Sequence, residues 1–177
     1  VYEKKVVLDI AKRIISALQS PDITIKLTRY HDSTLSLRRR TEIARKSKAD
    51  IFISIHLNSA RNRNAKGVET FVLPSEGSPS SAGTSRDLAY RPGNKFNPEN
   101  TALAYEIHRN VLFSTAAEDR GVRRARFDVL CNAPCPAALI ECGFVSNAHE
   151  ENLFISAAYR QKIADGIAQG ITAYLSR

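Results

Sequence analysis

Between Glu3 and Ser20 the apolar residues fall at Val6, Val7, Ile10, Ala11, Ile14, Ile15 and Leu18. That spacing is one face of a 3.6-residue helix, ended by the proline of "SPD". The period then shortens. In "ITIKLTR", residues 23–29, Ile23, Ile25 and Leu27 alternate with Thr24, Lys26 and Thr28, which predicts a half-covered strand near a sheet edge. "SLRRRTEIARKSKA" predicts a short basic helix that turns Leu37, Ile43 and Ala44 inward. "DIFISIH" follows as a β-branched run without alternation, the pattern of a strand buried on both faces.

"GVETFVL", 67–73, predicts a further strand opened by glycine. Residues 74–98, "PSEGSPSSAGTSRDLAYRPGNKFNP", are rich in Pro, Gly and Ser and read as a long excursion over the surface. A helix is expected from about Glu99 to Glu118 through Leu103, Ile107, Val111 and Leu112. A strand near "RFDVL" and a second buried strand, "AALIE", 137–141, come next. Ser156 reads as the N-cap of a last helix packed through Tyr159, Ile163, Ile167, Ile171 and Leu175. Strands alternating with helices, two of them apolar throughout, predict an α/β fold: a central, largely parallel sheet covered by helices on both faces. The sequence has no internal repeat.

With 177 residues, 43% hydrophobic and 25% charged, the chain has the length of one globular domain with a sizeable core. No apolar run approaches the roughly 18–20 residues of a spanning helix, and "VYEKKVVLDI" lacks the regions of a signal peptide. A soluble chain with no address of its own is expected. The formal charge of +8 favours anionic partners. The basic residues are spread out without the interleaved aromatics of a single-strand-binding face, so a solvated basic surface is expected rather than a nucleic-acid interface. Cys131, Cys135 and Cys142 are an odd set at low density, and "CNAPC" is not a familiar zinc knuckle. They read as small packing residues.

The candidate chemistry lies at strand ends, where ligands gather in open α/β sheets. His56 ends one buried strand, with Asn58 and Ser59 beside it; Glu141 ends the other, directly before "CGF", where Gly143 permits a sharp turn. A carboxylate after four apolar residues carries a desolvation penalty unless a cation, a metal or a donor set faces it. A salt bridge to one of the arginines is the structural alternative, and a core-satisfied imidazole is the alternative for His56. His and Glu at adjacent strand ends are the residue types of a hydrolytic zinc site. Glu3 could point toward the same strand ends, or could simply be a carboxylate favoured by a helix start. His31, His108 and His149 are weaker candidates, read as loop or solvated helix-face residues. Nucleotide-binding, zincin and serine-hydrolase motifs are absent.

Taken in order, "EKKVVLDIAKRI", "LTRYHD", "ADIFISIHLNSA", "GVETFVL", "NAPCPAALIECGFVSNAHEENLF" and "YRQKIADGIAQGI" resemble the zinc-dependent N-acetylmuramoyl-L-alanine amidases of the amidase-3 type. Only 74–98 falls outside the likeness. The resemblance implies an αβα fold around about six strands and hydrolysis of the amide between N-acetylmuramic acid and L-alanine of the peptidoglycan stem peptide. By position it implies Glu3 and His56 as zinc ligands, Glu141 as the catalytic glutamate and Asn58 as a substrate-binding candidate. It further implies a periplasmic, secreted or cell-wall location and an activator protein as a possible partner. In the family a first strand ends in a "DPGHGG"-like segment whose histidine is the third ligand. That segment does not occur here, so residues 1–177 are expected to be one amidase domain incomplete at its N-terminus, with exposed sheet edges. The alternative is an amidase-like scaffold that binds peptidoglycan or an activator without cutting. Some relatives carry a regulatory insertion at the place of 74–98; here a substrate-contacting or disordered loop is expected.

Overall fold

The computed structural model describes residues 1–84 and 86–177; Ser85, within the 74–98 excursion, lies outside them. In chain order the elements are α1 (Glu3–Ala17), α2 (Leu37–Lys46), β1 (Phe52–Asn58), β2 (Val68–Val72), α3 (Asn97–Thr115), β3 (Asp119–Arg124), α4 (Asp128–Cys131), β4 (Ala137–Phe144), α5 (Ala148–Ile155) and α6 (Ala157–Leu175). The strands form one sheet in the order β1-β4-β2-β3. β1 runs parallel to β4, and β2 parallel to β3, while the central β2–β4 pair is antiparallel. Two of the three pairings are thus parallel, as expected of a largely parallel sheet, but the sheet is mixed, and among the described residues it has four strands where the resemblance implies about six.

Alternation along β4 divides the core in two. Ala138, Ile140 and Cys142 face α1, α3 and α6 and join Ile10, Leu103, Ile107, Ile163 and Ile167. Ala137 and Leu139 face the other way and pack with Ala44 of α2 and Val129 and Leu130 of α4. Ser156 caps α6 by accepting from the Tyr159 N–H, which meets one of the donors a helix start leaves unpaired. On α2 the inward residues are Thr41 and Ala44, while Leu37, expected inside, is 48% exposed. Leu37 opens the helix directly after the Ser36 N-cap, before the apolar stripe meets the sheet.

Two expected strands are absent. "RFDVL" is a turn into α4, and the strand lies just before it at Asp119–Arg124. Five of its six residues are charged or glycine, an edge-strand composition that carries no apolar alternation. The segment 23–27 keeps its alternation, with Ile23, Ile25 and Leu27 half-buried and Thr24 and Lys26 exposed, but it joins no ladder. Between it and the free edge of β1 lies a cavity of about 770 Å³. Ile23, Ile25 and Leu27 line one side and Ile51, Ile53 and Ile55 the other, and Glu3, Arg40 and His56 also border it. Ile23, Ile25, Ile51, Ile53 and Ile55 also pack against the large core, and no hydrogen bond among the described residues joins 23–27 to β1.

Within the 74–98 excursion, Ser78, Ser80, Ser81 and Asn94 are tied down by hydrogen bonds. Arg126 donates to the Ser78 carbonyl and the Ser80 hydroxyl, Ser81 and Arg124 exchange hydrogen bonds, and the Asn94 amide donates to the Pro74 carbonyl. No helix among the described residues is long and apolar enough to cross a membrane.

Ile140 is fully buried in the centre of the sheet, whereas Phe113 on the outer face of α3 is 87% exposed. Urea unfolding should show Ile140→Ala losing about 2–5 kcal/mol of stability, with Phe113→Ala within about 0.5 kcal/mol of the parent.

Candidate active site

Register brings three polar side chains into one row across three strands. His56 on β1 pairs with Glu141 on β4, and Glu141 pairs in turn with Glu69 on β2. By alternation they share the face of Leu139, at the end of the sheet where β1 and β4 both finish. Just past Glu141, Gly143 adopts φ +140°, and the pairing slips between His56 opposite Glu141 and Asn58 opposite Phe144. A Cβ on Gly143 would lie 2.8 Å from the Phe154 ring. The irregular turn is fastened by Glu150, whose carboxylate accepts from the N–H groups of Phe144 (2.7 Å) and Gly67 (2.9 Å).

Glu3, in the first turn of α1, reaches the same place. Its Oε1 accepts from His56 Nδ1 at 2.9 Å and from the Leu57 N–H at 3.3 Å. A carboxylate can only accept, so Nδ1 carries the hydrogen, and the Ser54 hydroxyl is hydrogen-bonded to Nε2 at 3.1 Å. The hydrogen bond from His56 is the main reason that the Glu3 carboxyl titrates below its ordinary value, against the opposing effect of burial.

Glu141 is placed oppositely. Burial pushes its pKa up to about 7; the charges of Glu3 and Glu69 add to the rise, while His56 opposes it. Its Oε2 is buried and has no hydrogen-bond partner among the described residues, and the same holds for Nε of Arg40 on α2. The arginine salt bridge considered for Glu141 goes to its neighbour instead: Glu69 accepts from Arg120 and Arg123. Asn58 is drawn to Glu69 as well, its Nδ2 donating to Oε2 at 3.0 Å while its own Oδ1 accepts from the Ser59 N–H at 2.7 Å.

Glu69, Ser54, Arg40, Arg120 and Arg123 were not among the sequence candidates. Glu69 carried a visible signal, since it is a carboxylate inside the apolar strand "GVETFVL" and invites the desolvation argument applied to Glu141. His31 and His149 are exposed. His108, expected on a solvated face, is 6% exposed and bonded to Thr70 (3.0 Å) and Asp119 (2.9 Å), tying α3 to β2 and β3. The three cysteines are free thiols, with Cys135 and Cys142 buried.

Imidazole and carboxylate are donors of the right kind for zinc, and the proton they share is what a cation would displace. In number they fall one short of the three that a catalytic zinc takes, and no group of three His, Cys, Asp or Glu side chains able to hold a metal occurs among the described residues.

The family described as N-acetylmuramoyl-L-alanine amidase, of the amidase-3 type, matches residues 1–173. The chain belongs to this family. It is 33% identical over 198 residues to the N-acetylmuramoyl-L-alanine amidase AmiA of Escherichia coli K12, a match covering 97% of this chain and 68% of AmiA. Its structure is similar to the catalytic domain of CwlV, the N-acetylmuramoyl-L-alanine amidase of Bacillus (Paenibacillus) polymyxa var. colistinus, at 33% identity and a TM-score of 0.82, over 99% of this chain and 86% of that one. It is also similar to the CwlD amidase of Clostridioides difficile in complex with the GerS lipoprotein, at 27% identity and a TM-score of 0.81, over 99% of this chain and 87% of CwlD. The α/β fold expected of the family is the fold of this chain, with four strands among the described residues rather than about six.

The raised pKa of Glu141 has a consequence for the metal-free protein. Below pH about 4.5 the group is protonated both folded and unfolded and contributes nothing. As pH rises toward about 7 the unfolded chain ionises first, so stability falls, and above that the penalty is constant. Glu141→Gln should therefore exceed the parent in stability at pH 8 by on the order of 2 kcal/mol, a gap that closes near pH 4.5. Urea titrations of both proteins across that range would measure it; a gap independent of pH would show that Glu141 does not titrate this way.

Proposed function

We propose that this chain is a peptidoglycan hydrolase that cleaves the amide between the lactyl group of N-acetylmuramic acid and L-alanine of the stem peptide. Family membership supplies the reaction class. The observation that carries the assignment of roles is the buried, unpartnered Oε2 of Glu141, in register with a His56 that is itself held on Glu3. A buried carboxyl without a donor is a costly arrangement for stability alone and a useful one for moving a proton.

Glu141 is the general base. Its pKa of about 7 lets it take a proton from water near neutral pH, yet hold it firmly enough to pass it on. As the water oxygen bonds to the lactyl carbonyl carbon, Glu141 accepts the water proton and then delivers it to the amide nitrogen. The C–N bond breaks and the second proton of the water passes from the new carboxyl to the amine, leaving a lactyl carboxylate and the ammonium group of L-alanine. Zinc, when bound, lowers the pKa of water and polarises a carbonyl. His56 and Glu3 would hold it, and Ser54 would keep the imidazole ring oriented. A third donor would come from a strand filling the slot between β1 and 23–27, whose border includes Glu3 and His56. Asn58, fixed by Glu69, is left to steer substrate. The location is the cell envelope, where this substrate lies, and a protein partner is proposed by analogy with the CwlD–GerS complex.

The test is mass-spectrometric detection of stem peptide released from purified peptidoglycan with zinc added, alongside chelator and Glu141→Gln controls. Chelation should stop release, and Glu141→Gln should slow it about 10²–10⁴-fold. The zinc content of the purified protein, about one ion per chain in an enzyme, should fall with His56→Ala. The short donor count favours one other reading, a scaffold that binds peptidoglycan without cutting. Cosedimentation with peptidoglycan but no release, even from a chain given a strand that ends in histidine, would select that reading.

A further inference from the structure

Arg120 and Arg123 are three positions apart on β3, a spacing that in a regular strand points side chains to opposite faces. Here both reach the same atom, Oε1 of Glu69, from Arg120 Nε at 3.0 Å and Arg123 Nη1 at 2.5 Å. The cause is a bulge. Val68 pairs with Asp119 but Thr70 pairs with Val122, so β3 carries one extra residue, and Gly121 within that stretch has φ +85°. The Arg120 guanidinium is braced over the Phe144 ring, 5.0 Å from its centroid.

One arginine would suffice to satisfy Glu69 and tie β3 to β2. Two guanidiniums on one carboxylate leave a formal excess of one positive charge beside the row His56–Glu141–Glu69. Glu69 is 4% exposed, but the arginines are 31% and 33% exposed. Each spends one N–H on Glu69, and their other donors have no protein partner among the described residues. A planar fork of free donors, braced and partly desolvated, is the geometry that grips a carboxylate through two hydrogen bonds.

We propose that Arg120 and Arg123 form a carboxylate-reading subsite for the leaving peptide. The inference rests on the amidase reading above and deepens it. The lactyl carboxyl of the substrate is consumed in the scissile amide, so the free carboxylates near that bond belong to the stem peptide. The arginine pair beside Glu141 therefore selects stems that keep an acidic residue after L-alanine and holds them with the amine side toward β3.

The experiment is calorimetric titration of the 177-residue chain with N-acetylmuramoyl-L-alanyl-D-glutamate and, separately, with its diamide. The diacid should bind about tenfold to a hundredfold more tightly, and Arg123→Gln should bring the ratio toward one. Arg123→Lys keeps a charge on Glu69 but loses the fork, so it should retain only part of the preference while its urea midpoint stays near that of the parent. Equal affinities in the parent overturn the proposal, whether or not Arg123→Gln folds, and so does a preference that survives in a folded Arg123→Gln. Cleavage is followed on the same samples. Preference without cleavage, both here and in a chain given a strand that ends in histidine, sustains the subsite and removes the amidase reading; cleavage without preference does the reverse.

Discussion

The register of β4 is the constraint on which the rest depends. This strand is bonded on both edges and covered on both faces, so each of its side chains has one place to go. Ile140 and Cys142 belong to the core under α1, α3 and α6, and Leu139 to the smaller cluster under α2 and α4. A slip of one residue would send Glu141 into the larger core and set Cys142 beside His56. The apolar packing therefore decides where the polar row lies, and the cost of burying an unpaired carboxylate in the core forbids the alternative.

Within that row, three carboxylates at one end of a sheet are given three environments. Glu69 is saturated by Arg120, Arg123 and Asn58. Glu3 has His56 and the Leu57 N–H, and its proton affinity is lowered. Glu141 has no partner on Oε2 among the described residues, and its proton affinity is raised. Environments that drive like groups apart in pKa are how one fold assigns an acid–base role to one carboxyl and a structural or ligand role to another.

Much of this was legible from residue patterns. β1, β2, β4, α1 and α6 follow from period and length, and the meeting of His56 with Glu141 follows from two buried strands ending in polar residues. Glu3 was within reach only as one of two readings, because a helix start explains an acidic residue equally well. What escaped has physical causes. β3 is an edge strand without an apolar signature, and its bulge, the device that unites Arg120 with Arg123, depends on a glycine conformation that no periodicity reveals. His108 looked solvated because its burial comes from strands distant in sequence. The segment 23–27 has the pattern of a strand, but a pattern fixes which faces are covered and cannot supply a hydrogen-bonding neighbour.

That detached segment also bears on how the molecule behaves in company. A bare sheet edge is a template for another copy, and chains that expose one tend to aggregate. Among the described residues the outer ladder of β1 is unpaired, and 23–27 stands across the gap with Lys26 exposed, as a guard rail. A second molecule approaching edge-on meets a charged side chain before it meets free N–H and C=O groups. Lys26 thus sets a positive charge at the mouth of the slot beside the polar row, where it disfavours edge pairing with a second copy of the chain.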